Sequence, residues 1–178
     1  MLTSPKIIDY IASNFKDSIL VVDPVMVATS GDVLVEDSVI AAIQSILLPV
    51  ATLATPNLQE AEILTGIKIK NTKDQINAGE RINEMGCKAS LIKGGHCNGE
   101  TISDVLVYED MHIFGHEKID TKNTHGTGCT LASSIATNLA LGASLHDACA
   151  KSIDYVATLL KSSPSLGKGN GPLMHNLF

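Results

Sequence analysis

Three short apolar runs, each parted from the next by a stretch with helical spacing, restrict this chain to an α/β fold. They are SILVVD at 18–23, VATLATP at 50–56 and KASLIKGG at 88–95. Runs of this length bounded by turn residues read as buried strands. Between them, VEDSVIAAIQSILL (35–48) sets Val39, Ala42, Ile43, Ile46 and Leu47 on one helical face. TKDQINAGERINEMG (72–86) reads as a second helix, with Thr72 as its N-cap and Gly86 as its stop. A further helix is expected before the first strand, where Ile7, Ile8, Ile11 and Phe15 recur at helical spacing. Strands alternating with helices predict a doubly wound, mostly parallel sheet.

The period then changes. DVLVYEDMHIFGHEKID (104–120) alternates apolar and polar residues around Glu109 and Asp110, which predicts an antiparallel hairpin at or near one sheet edge. Two helices follow, from Thr127 to about Leu141, stopped by Gly142, and from Ser144 to about Lys161, opened by the cap pattern SLHD. The Gly- and Pro-rich tail SPSLGKGNGPLMHNLF reads as a loop over the surface or over a site. With 178 residues, 44% of them apolar, the reading is one domain over 1–178. A doubly wound domain seldom opens on a helix with only three parallel strands behind it. The expectation is therefore that the N-terminal part of the fold is missing from this chain.

A net charge of −6 and only six aromatic residues argue against a nucleic-acid partner, which needs clustered basic residues or stacking platforms. No apolar run is long enough to span a bilayer and the N-terminus lacks a signal-peptide core, so a cytoplasmic location without membrane partners is expected. Cys87, Cys97, Cys129 and Cys149 form no CxxC pair, which leaves most of them as small buried hydrophobes. His96, His112, His116, His146 and His175 show no metal-ligand spacing.

Ligands of open α/β sheets bind beyond the carboxyl ends of the strands. Here those ends carry Asp23, then Asn57 with Glu60, then Lys93, a set that suits a phosphorylated ligand with magnesium. Plainer roles remain open for each. Asn57 and Glu60 also fit a helix capping box, Asp23 before Pro24 a turn, and Lys93 before two glycines a strand-to-turn lysine.

The second candidate feature is HGTGCT (125–130), where Gly126 and Gly128 precede the helix TLASSIATNLALG. Glycines there let successive amides point into one concavity, and the helix start favours an anion. At that position the helix field lowers a thiol pKa from about 8.5, so Cys129 can serve as a base. The alternative is that small residues simply let the helix pack closely, with Cys129 as filler. The stretch is neither a Walker A loop nor a GxGxxG fingerprint, and His125 with Cys129 does not match a nucleophile elbow.

In order along the chain, VVDPVMVATSGD (21–32), ATPNLQEAEILTG (54–66), LIKGGH (91–96), TKNTHGTGCTLASSIA (121–136) and LGKGNGPLMH (166–175) resemble the hydroxymethylpyrimidine phosphate kinases of the ribokinase-like superfamily. The resemblance implies ATP- and Mg²⁺-dependent phosphorylation of 4-amino-5-hydroxymethyl-2-methylpyrimidine and its monophosphate for thiamine biosynthesis. It places Gly126, Thr127, Gly128 and the Cys129 amide around the transferred phosphoryl group. Cys129 stands where most ribokinase-like enzymes carry an aspartate base. Asn57 and Glu60 match an NxxE element that organises metal and phosphates through water, with Asp23 and Lys93 near the phosphates, Val25 beside the pyrimidine, and Thr55 and Lys168 close by. Assembly with a second copy of the chain is expected. A non-catalytic remnant or binding subunit of the same family, and a pyridoxal-type vitamin kinase, are the competing readings.

Overall fold

The computed structural model describes residues 2–28, 32–94, 101–164 and 169–176. They fall into two compact units, Met1–His116 and Glu117–Phe178.

Unit 1 is the sheet-bearing part. Helix α1 (Pro5–Phe15) starts at Ser4, whose hydroxyl accepts the Ile7 amide, with Pro5 tolerated because the first helical N–H needs no partner. Its inward face is narrower than the spacing of apolar residues predicts: Ile8 is buried, whereas Ile7 and Phe15 are exposed. Strand β1 (Val21–Val22) follows, then α2 (Asp37–Ala42). The expected helix through Leu48 does not keep one geometry. It widens to π form over Ile43–Leu47 and tightens to 3₁₀ over Leu48–Val50. Pro49, which has no amide to donate, lies in that last turn. Val39, Ala42, Ile43 and Leu47 are nonetheless buried as the apolar stripe requires, and Ile46 packs against the same core.

Strand β2 (Leu53–Ala54), helix α3 (Leu58–Thr65), helix α4 (Thr72–Glu84) and strand β3 (Ser90–Ile92) complete the αβ alternation. The N-cap of α4 is Asn71, not Thr72: the Asn71 side chain accepts the Asp74 amide at 3.0 Å. Gly86 does mark the stop, with φ 102 and a Cβ position that would meet the Pro49 backbone at 2.9 Å. Strands β1, β2 and β3 pair in parallel and β3 pairs antiparallel with β4 (Thr101–Val107), which neighbours β5 (Met111–Glu117) in the order β1-β2-β3-β4-β5. The sheet is therefore mixed, with the predicted hairpin at one edge. Its core gathers Ile8, Val22, Met26, Ile43, Leu47 and Ile92.

Unit 2 contains α5 (Thr127–Ala140) and α6 (Leu145–Lys161) packed on each other. Gly142, at φ 88, follows α5, and Ser144 caps α6 by accepting the Asp147 amide at 3.1 Å. Cys149 is buried, as is Cys87 in unit 1, and Cys129 is exposed. Cys97 and His96 lie outside the described residues. No helix of the described residues is long and apolar enough to cross a membrane.

Candidate active site

Parallel strands bring their carboxyl ends to one rim, so the residues that follow β1, β2 and β3 become neighbours although they lie far apart in sequence. Asp23 follows β1, Thr55 follows β2 and Lys93 follows β3. The Thr55 amide donates to the Val22 carbonyl at 2.8 Å and the Lys93 amide to Pro56 at 2.9 Å, which fixes the three in register. The Lys93 ammonium then meets Asp23 Oδ1 at 2.8 Å, and the buried Thr55 hydroxyl donates to the same oxygen at 3.3 Å. Only 16% of the Lys93 side chain and 12% of that of Asp23 are exposed, so this is a partly desolvated pair rather than a surface one. Asp23 and Lys93 therefore form a charge pair at the carboxyl ends of the strands, and Asp23 also opens a turn through its carbonyl.

Asn57 and Glu60 do form a capping box. Glu60 donates its amide to Asn57 Oδ1 at 2.9 Å, and the Asn57 amide donates to Glu60 Oε2 at 2.8 Å. Glu60 is almost fully buried. Burial raises its pKa; the Lys93 charge and the amides of Asn57 and Met26 oppose that rise, and Asp23 adds to it. The Met26 contact ties the start of α3 to the segment after β1. That segment turns back on itself, with the Val25 amide on the Asp23 carbonyl at 2.9 Å and the Leu34 amide on Met26 at 2.8 Å. Val25 is half-buried within it.

A magnesium ion keeps several waters and takes one or two protein carboxylates plus phosphate oxygens. No group of three or more His, Cys, Asp or Glu side chains able to hold a metal occurs among the described residues. The buried, amide-bonded Glu60 and the lysine-paired Asp23 fit a hydrated ion held chiefly by a ligand's phosphates, reached through water. They do not fit a dry cage of protein ligands.

In unit 2, Gly126 is the N-cap of α5 at φ 85, a left-handed conformation that penalises any side chain even though the space around it is open. Its carbonyl accepts both the amide and the hydroxyl of Thr130, at 2.9 and 2.8 Å. Four amides of this loop were expected to be free for an anion. That of Thr127 is engaged by the Thr124 carbonyl at 3.3 Å, where the Thr127 hydroxyl also donates at 2.6 Å. No acceptor among the described residues takes the amides of Gly128 and Cys129. The exposed Cys129 thiol stands beside them. The tail reaches this loop: the His125 amide donates to the Gly171 carbonyl at 3.2 Å. Lys168 lies outside the described residues.

A groove of about 670 Å³ runs from Cys129 between α5 and α6, lined also by Ser133, Lys151, Tyr155 and His175. Nothing in the sequence reading singled out Lys151 or Tyr155. Their spacing of four residues on α6 puts them on one face, a signal that was present but indistinguishable from a solvated stripe.

The mixed α/β sheet, with its parallel strands and flanking helices, has the ribokinase-like fold. Residues 1–174 match the family model described as phosphomethylpyrimidine kinase, and the chain belongs to that family. It is 40% identical over 158 residues to a hydroxymethylpyrimidine/phosphomethylpyrimidine kinase of Staphylococcus aureus, covering 87% of this chain and 57% of that one. In structure it is similar to an ADP complex of Bacillus subtilis pyridoxal kinase, with a TM-score of 0.90 and 34% identity over 98% of this chain and 68% of that one. It is also similar to the phosphomethylpyrimidine kinase of Clostridium difficile, with a TM-score of 0.76 and 38% identity over 89% of this chain and 65% of the other. The chain thus spans about three fifths to two thirds of the length of these relatives.

Proposed function

We propose that the chain carries the phosphoryl-transfer chemistry of an ATP-dependent kinase for 4-amino-5-hydroxymethyl-2-methylpyrimidine and its monophosphate. The observation that carries this reading is the exposed Cys129 at a helix start whose Gly128 and Cys129 amides have no acceptor among the described residues. In this reading the substrate's hydroxyl oxygen bonds to the γ-phosphorus of ATP as the bond from that phosphorus to the bridging oxygen breaks, and ADP departs. Cys129 is the group that takes the hydroxyl proton. The amides at the start of α5, with Gly126 setting the turn, stabilise the charge on the moving phosphoryl group. Lys93, oriented by Asp23 and Thr55, neutralises nucleotide phosphate oxygens, and Asn57 and Glu60 hold the rim in shape. Val25 borders the pyrimidine. Magnesium, when bound with the nucleotide, neutralises phosphate charge, held through water by Asp23 and Glu60.

Support comes from the family match over residues 1–174 and from nucleotide complexes among the structural relatives. A pyridoxal-type kinase is the second reading, favoured by the similarity to pyridoxal kinase structures. Incubating the chain with ATP and Mg²⁺ and, in parallel, the pyrimidine monophosphate or pyridoxal separates the two. Pyrimidine diphosphate is the expected product. Pyridoxal phosphate alone would favour the second reading. Neither product, with ADP binding intact, would leave a nucleotide-binding subunit of the family.

A further inference from the structure

Lys93 holds its place although it lies just past the end of a three-residue strand. The parallel side is secured by its own amide on Pro56. On the other side the β3–β4 ladder stops at Ile92 opposite Val105, so the next backbone groups need other partners. The following amide, that of Gly94, is taken by a side chain: it donates to Asp104 Oδ1 at 2.7 Å. Asp104 is 6% exposed, and its second oxygen meets His116 Nε2 at 3.2 Å. Gly94 must also be a glycine for steric reasons, because a Cβ there would collide with the Ser103 carbonyl. That carbonyl is itself held by Gln75 Nε2 at 3.0 Å from α4.

We propose that Asp104 is a positioning residue for Lys93: by taking the Gly94 amide it fixes the backbone from which the Lys93 ammonium reaches Asp23. A carboxylate accepting a backbone N–H makes a charge-assisted bond, and burial keeps water from replacing it. His116 orients the carboxylate from the hairpin's second strand. Loss of Asp104 frees the Gly94 amide and lets the end of β3 drift, so the ion pair with Asp23 opens. The functional part of this inference rests on the phosphate role proposed for Lys93; the structural coupling does not.

Two measurements separate them. The first is the rate at which an amine-reactive ester acylates Lys93, followed by peptide mass spectrometry. Lys93 should react slowly in the native chain, several-fold faster in Asp104→Ala, and slowly again in Asp104→Asn, whose amide oxygen still accepts the Gly94 N–H. The exposed Lys68 serves as the internal standard. The second is ADP affinity by calorimetry, expected to weaken about tenfold in Asp104→Ala, the size of one lost charge-assisted bond. Adding Lys93→Ala to that variant should weaken it no further. Should Asp104→Ala fail to fold, Asp104→Ser, too short to reach the amide, replaces it. An unchanged Lys93 acylation rate in a folded variant, or independent multiplying losses in the double variant, would overturn the proposal. Faster acylation with ADP affinity unmoved by Lys93→Ala would instead keep the coupling and reject the phosphate role of Lys93.

Discussion

Replacing Cys129 by alanine is expected to lower kcat by about 10²–10⁴-fold with little change in the KM for ATP, the pattern of a lost general base. The thiol is exposed at the first turn of α5, so its removal costs little packing and the fold should survive. Cys129→Asp restores a proton acceptor of the type that the resemblance assigns to other ribokinase-like enzymes, and should recover part of the rate. Steady-state kinetics of the three forms with the pyrimidine monophosphate read this directly. A Cys129→Ala variant with native kcat would show that the substrate's proton leaves by another route, for instance to water or to phosphate itself.

Lys93→Ala is the second. Phosphate charge left without a fixed cation in a partly enclosed site loses about 10²–10³-fold in kcat/KM. The same change strands Asp23, whose side chain is 12% exposed and keeps the Thr55 hydroxyl as a donor, so stability falls as well. A buried pair broken on one side costs about 3–5 kcal/mol, and the residual exposure here brings that toward about 2 kcal/mol. Stability and function can be told apart with a double variant, Asp23→Asn with Lys93→Met, which removes both charges while keeping the bulk. Its melting temperature should return most of the way to native while kcat/KM stays low. Recovery of both together would reduce Lys93 to a structural partner of Asp23.

The placement of the candidate residues at the sheet's carboxyl ends was legible in the sequence. Asp23, Asn57, Glu60 and Lys93 were placed by one rule, that polar residues at strand ends share a rim, and the Lys93–Asp23 pair at 2.8 Å follows from it. The rule could not decide between cap and ligand for Asn57 and Glu60, because a capping box uses the same spacing; the structure shows the box. Thr72 reads as a cap from its place before the helical stretch, although Asn71-x-x-Asp74 carries the same signal. Both residue types cap well, and only the geometry of the Asn71 side chain chooses. Ile7 and Phe15 matched the helical period yet stay outside the core, since a period locates a stripe but not its width. The π-helical stretch of Ile43–Leu47 leaves no mark in the pattern of apolar residues. Asp104 was hidden for a different reason. It reads as one polar position in an alternating strand, and its meaning lies in Gly94, ten residues away and across the sheet.

The proposed phosphoryl transfer depends on backbone amides at the start of α5 receiving a phosphate. ¹H–¹⁵N spectra of the chain recorded with increasing non-hydrolysable ATP analogue and Mg²⁺ report on those amides one by one. The Gly128 and Cys129 resonances are expected to move downfield and to saturate together with those of Lys93, while the Thr127 amide, bound to Thr124, shifts less. Nucleotide binding that shifts Lys93 but leaves Gly128 and Cys129 where they were would contradict the account.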